Sequence, residues 1–172
     1  MSRTTLVLAL LALQVLWPAM QAEAEDTKNR DTATEESKAM QSIVEGTHLR
    51  IARPTDDLGP VTAFYREGLG FDVIGSFEDH EGFDGVMLGH RGAGYHIELT
   101  RQRGHTVGRA PNKEHLLVFY MKTTESWQAA IDHMKSLGYQ PVESNNPYWE
   151  KRGKTFEDPD GYRVVFQNTA SD

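Results

Sequence analysis

The chain has 172 residues, a net charge of −7 and no cysteine. The missing thiols exclude disulfides, thiolate metal sites and lipid attachment through a cysteine, leaving His, Asp and Glu as the strong metal ligands. The acidic balance, with basic residues scattered rather than striped, argues against nucleic acid or an anionic membrane as a partner.

Residues 1–24 read as a secretory signal. Arg3 supplies the positive start, Leu6 to Trp17 is a short apolar run, and Ala22-Glu23-Ala24 fits the small-x-small cleavage rule. The run is shorter than the roughly 20 residues a membrane span requires, so no stable span is expected. The mature chain should begin near Glu25 and be periplasmic or secreted. Residues 25–45 are polar, charged and aperiodic, which predicts a disordered linker. Residues 46–169 then form one domain of about 125 residues with one core.

The domain is written twice. His48-Leu-Arg-Ile51, Ala63-Phe64 and Leu69-Gly70-Phe71 are followed, 67 or 68 residues later, by His115-Leu-Leu-Val118, Ala130-Ile131 and Leu137-Gly138-Tyr139. Thr47–Arg53 alternates and ends at Pro54, which predicts a strand. Thr55, Asp56 or Asp57 caps a helix over Leu58–Glu67 that Gly68 and Gly70 stop. Phe71–Phe77, Gly85–Leu88 and Tyr95–Thr100 read as strands between turn-rich joints. In the second half His115–Met121 is a strand. Thr123 or Thr124 then opens a helix carrying Trp127, Ala130, Ile131 and Met134. Asp158-Pro159-Asp160-Gly161 reads as an ordinary type I turn, tolerant of a side chain at Gly161, between strands near Thr155–Glu157 and Arg163–Gln167. The expected fold class is α+β, two βαβββ modules forming one concave mixed-sheet cleft.

A pseudo-two-fold axis would set His48 opposite His115, and Glu98 opposite Val165. His48, Glu98 and His115 are then a workable divalent-metal set with open positions. His96 shares a strand face with Glu98 and leaves a structural role open for both. Tyr148 and Trp149, in a polar Pro-containing loop, are candidates to stack on a ligand. Trp149 packing on the core edge is the equal alternative. Arg53, Tyr120 and Gln167 are weaker candidates to line the cleft.

With Phe64-Tyr65-Arg-Glu-Gly-Leu69-Gly70, Ile97-Glu98-Leu99-Thr100 and Phe156-Glu-Asp-Pro-Asp-Gly161-Tyr162 in this order, the chain resembles the vicinal oxygen chelate superfamily from about Thr47 to Asn168. That group includes glyoxalase I, bleomycin- and fosfomycin-resistance proteins and extradiol dioxygenases. The resemblance implies four metal-holding side chains, of which three fall on His48, Glu98 and His115 and the fourth on Val165. It implies a small-molecule ligand, a homodimer, and zinc, with iron, manganese or nickel as alternatives. Glu98 would double as the base of a lyase, isomerase or oxygenase. Val165 replaces the expected carboxylate, which keeps a metal-free binding protein of the bleomycin-resistance type as the alternative.

Overall fold

The computed structural model describes residues 26–32 and 44–170. The proposed signal lies outside the described residues. The segment expected to carry no element holds a short, fully exposed helix over 26–32, in which Arg30 and Asp26 pair at 2.9 Å across one turn. Such a pair supports a helix locally without a core. The chain divides into a unit ending at Thr47 and a unit from His48 onward.

The second unit contains both modules. In the first, β1 (Leu49–Pro54) leads to α1 (Leu58–Ala63), then β2 (Asp72–His80), β3 (Phe83–Gly89) and β4 (Tyr95–Gln102). In the second, β5 (Leu116–Met121) leads to α2 (Thr124–Ser136), β6 (Pro141–Val142), α3 (Tyr148–Arg152), β7 (Gly153–Glu157) and β8 (Arg163–Asn168). The sheets are hydrogen-bonded separately, in the orders β1-β4-β3-β2 and β5-β8-β7-β6, each with one parallel pair. The α+β class and the duplicated βαβββ arrangement stand, each module contributing one four-stranded mixed sheet.

Local chemistry explains the boundaries. Asp57 caps α1 by accepting from the Gly59 amide at 3.1 Å, and Thr123 caps α2 by accepting from the Ser126 amide at 3.1 Å. The predicted first helix continues past Ala63 as a π-helical turn over Phe64–Gly68. That turn buries Phe64 and Tyr65 side by side. Helix-facing residues of both sheets, Leu88, Ile97 and Leu99 with Phe156, Val164 and Phe166, join Val61, Phe64, Ile131 and Met134 in one core.

The turn after β7 corrects the sequence reading. The Gly161 amide donates to the Asp158 carbonyl at 2.9 Å, and the Asp158 amide to the Tyr162 carbonyl at 2.8 Å. Gly161 has φ +91°, the left-handed position of a three-residue hairpin loop built on a type I turn. A Cβ there would also stand 2.9 Å from Arg109 Nη2. The position therefore favours glycine over any residue with a Cβ.

Candidate functional site

Each sheet has a face turned to the core helices and an opposite, open face, on which Arg50, Ala52 and Tyr120 are exposed while His96, Glu98, Arg163, Val165 and Gln167 are buried. On the first sheet Ile51 and Arg53 pair with Ile97 and Leu99 on the covered side, while Arg50 and Ala52 pair with His96 and Glu98 on the open side. The open face carries a chain of polar contacts. Arg50 Nε donates to His96 Nε2 at 3.1 Å, His96 Nδ1 lies 2.5 Å from His48 Nε2, and Arg50 Nη1 lies 2.9 Å from Glu98 Oε2. That last contact is an ion pair without hydrogen-bond alignment.

Arginine only donates, which assigns the proton positions. His96 Nε2 accepts from Arg50, so His96 carries its proton on Nδ1 and donates it to His48 Nε2. Burial holds the His96 imidazole below its ordinary pKa, with the neighbouring His48 and Arg50 acting in the same direction against Glu98.

His115 is not part of this cluster. Ile51 pairs with Ile97 in the first module and Leu117 with Val164 in the second. From Ile51 to Leu117 is a step of 66, whereas from Ile97 to Val164 it is 67. Along the opening strands the duplication is therefore displaced by one residue, and one residue turns a side chain to the other face. The counterpart of His48 is Glu114, and that of His115 is Leu49. His115 stands on the helix side near Tyr162, ring centroids 6.2 Å apart, in a cavity of about 290 Å³ with Ile51, Ile97 and Leu117. The open-face counterparts of Arg50 and Glu98 are Leu116 and Val165.

The expected set of His48, Glu98 and His115 is thus corrected: His48 and Glu98 share a face and His115 leaves it. Among the described residues no group of three or more His, Asp or Glu side chains is placed to hold a metal. The donors that are present face Arg50 or one another, Glu98 Oε2 through an ion pair alone. Glu98 faces the permanent cation of Arg50, His96 Nε2 takes the Arg50 proton, and His48 Nε2 takes that of His96. Zinc, iron, manganese or nickel would have to displace a guanidinium here, so these residues do not fit a divalent ion.

The corresponding face of the second module is different in kind and largely closed, with Arg163, Val165 and Gln167 buried. It carries Leu116, Val118 and Tyr120 on β5 and Arg163, Val165 and Gln167 on β8. Trp149, read from the sequence as part of a loop, lies on α3, which packs against β7 and β8. The close approach needs Gly153, where a Cβ would come within 2.3 Å of the Trp149 carbonyl oxygen. Ser144 ties the segment down: its amide donates to Glu150 Oε1 at 2.6 Å and its hydroxyl meets that of Thr155 at 2.5 Å. Trp149 lines a pocket of about 250 Å³ with Glu114, Asn145, Asn146 and Thr155. Tyr148 is exposed and meets Trp149 edge-on, centroids 4.8 Å apart.

Arg53, a weak candidate from strand phase, is buried at the join of the modules. It donates to Tyr65 Oη at 2.7 Å and to Asp158 Oδ2 at 2.5 Å, with its guanidinium 4.2 Å from the centre of the Tyr162 ring. Burial pushes the Tyr65 phenol well above its ordinary pKa.

Profiles of the YycE-like N-terminal and C-terminal domains match residues 49–100 and 114–168. The chain belongs to the YycE-like family. YycE of Bacillus subtilis (strain 168) is 45% identical over 128 residues, covering 74% of this chain and 92% of YycE. The crystal structure of B. subtilis YycE, described as a protein of unknown function and a candidate glyoxalase/fosfomycin resistance protein, matches with a TM-score of 0.68 and 44% identity over 74% of this chain and 93% of that one. Glyoxalase I of Leishmania major matches at TM-score 0.55 and 21% identity, covering 70% of this chain and 84% of that one. FosX of Listeria monocytogenes, crystallised with Mn(II) and a dihydroxypropylphosphonic acid, matches at 0.54 and 19%, covering 73% and 93%. These distant likenesses show the fold, and with YycE they put the family in the vicinal oxygen chelate superfamily.

Proposed function

We propose that this protein is an exported, metal-independent small-molecule-binding protein that takes its ligand in the cavities lined by its two sheets. The observation that carries the reading is the 2.9 Å approach of Arg50 to Glu98. A fixed side-chain cation stands against the one carboxylate expected to hold a metal, and the second module offers Leu116 and Val165 at the matching points. An enzyme acting through a divalent Lewis acid requires free donors, and these face Arg50 or one another. Ligand binding without metal needs only a concave, partly apolar lining with a few polar groups. The same fold occurs in TnmS3 of a Streptomyces strain, described as an antibiotic-binding protein, at 20% identity.

Elemental analysis of the purified protein, with titration of zinc, manganese and nickel, tests the reading. No stoichiometric metal and no saturable heat are expected, and a bound equivalent of any of them overturns it. Export is tested separately by intact mass: a chain starting near Glu25 supports it, and one retaining residues 1–24 refutes it. The proposal includes a homodimer, which light scattering in solution checks.

A further inference from the structure

The pocket beside Trp149 differs chemically from the two cavities at the join of the modules. One of those has about 400 Å³ walled by Phe71, Tyr95, Phe119 and Phe166 with His90 and His133, and the other sets His115 and Tyr162 with Arg53 and Arg163 beside Ile51, Ile97 and Leu117. The Trp149 pocket combines a single aromatic face with Lys113, Glu114, Asn145 and Asn146. Asn145 Nδ2 donates to Glu114 Oε1 at 2.7 Å, so an amide and a carboxylate are already aligned side by side. Asn146 Oδ1 is committed to the Tyr148 amide at 2.9 Å, which fixes the plane of its side chain. On the same face Gln167 Oε1 is buried with no donor among the described residues.

Four features narrow the ligand. Lys113 and Glu114 cancel in charge, so the site selects neither an anion nor a cation. Asn and Glu side chains both accept hydrogen bonds, and Asn and Lys donate them, a mixture that suits hydroxyl groups, which do both. The volume of about 250 Å³ lies below the roughly 300–1,000 Å³ of drug-sized sites, which is room for one ring. Trp149 supplies a flat apolar surface for the C–H face of that ring.

We propose that the Trp149 pocket binds one neutral, hydroxylated six-membered ring, a cyclitol or pyranose, stacked on Trp149 with its hydroxyls on Glu114, Asn145 and Lys113. The inference rests on the metal-independent binding reading and names the ligand class for its second-module face. Indole N–H signals of the purified protein, followed in EDTA while myo-inositol or methyl glucoside is added, test it. The Trp149 signal, assigned with Trp149→Phe, should move saturably. Trp149→Ala should weaken binding about tenfold, the scale of a lost aromatic contact. Lys113→Ala, at an exposed position, should weaken it with the fold intact. If only a planar aromatic probe such as a naphthalene sulfonate moves the Trp149 signal, the ligand class is overturned and the binding-protein reading stands. If the sugars bind only after zinc is added, the metal-independent reading falls as well. If neither probe moves that signal with or without zinc, the pocket is not a ligand site.

Discussion

Arg53 and Asp158 lie 105 residues apart in the chain and 2.5 Å apart in space, both side chains almost fully buried. The pair joins β1 of the first module to the hairpin turn before β8 of the second, and Tyr65 Oη completes it at 3.0 Å from Asp158 Oδ2. Removing one member of such a pair strands a buried charge. Asp158→Ala should therefore cost about 3–5 kcal/mol, read from the urea midpoint. Asp158 Oδ1 also accepts from the amides of Asp160 and Tyr162, each at 3.0 Å, so Asp158→Asn should recover only part of the loss. A cost under about 1 kcal/mol would mean that water reaches the pair.

Gly161 gives a second test. Its φ of +91° and the guanidinium of Arg109 in the space of its missing Cβ act together. Gly161→Val should destabilise by about 1–3 kcal/mol, and Gly161→Asn by less, since Asn tolerates the left-handed region. Equal losses for the two variants would place the cost in the Arg109 contact rather than in the backbone.

These two features also mark where the sequence is and is not legible. Alternation and caps located seven of the eight strands and the helices α1 and α2, because those signals are local, while the exposed helix over 26–32 shows no apolar period. The two-residue β6 and the five-residue α3 are too short to show a period, so Trp149 read as loop. The His115 error came from aligning the halves on their helices and glycine joints, where the step is 67 or 68. The cap residues held the better signal: from Asp57 to Thr123 is 66, the same step as from Ile51 to Leu117. Counting back from the caps pairs Arg50 with Leu116 and leaves His115 opposite Leu49. No local pattern announces the contact of Arg53 with Asp158, since it exists only once the modules have packed.

His96 predicts a pH dependence. The His96 pKa is lowered in the folded protein, first by burial and then by His48 and Arg50, so the folded state binds fewer protons than the unfolded chain between that lowered value and about 6.5. The contribution is then intact above about pH 6.5 and is lost as pH falls through that value towards the folded pKa. Wild type should lose more stability between pH 7.5 and 5.5 than His96→Asn, with the surface carboxylates cancelling in the comparison. An identical slope for both proteins would show that His96 protonates freely in the fold.

The place of Arg50 can be tested by removing it. In Arg50→Ala the Glu98 carboxylate loses its counter-charge, and His96 Nε2 loses its donor, while His48 Nε2 and His96 Nδ1 still stand 2.5 Å apart. His96 Nε2 and the Glu98 carboxylate then face the vacated place, and His48, on the opposite ring nitrogen of His96, holds that ring in the ligating tautomer, so one imidazole and one carboxylate become available to zinc or nickel. Arg50→Ala should therefore bind either metal measurably where wild type does not, and His48→Ala in that background should reduce the gain. Val165→Glu is the contrasting case. It restores the carboxylate that the resemblance led one to expect, but Val165 is fully buried and its nearest strand partners are Val118 and Thr155. An unpaired carboxyl there should cost several kcal/mol, of order 2–7 for burying a polar group without a partner, and should bring no metal affinity. Calorimetric titration of both variants separates the alternatives. Tight metal binding by Val165→Glu would mean that the two open faces share a metal position, and failure of Arg50→Ala to bind would mean that more than the guanidinium keeps the ion out.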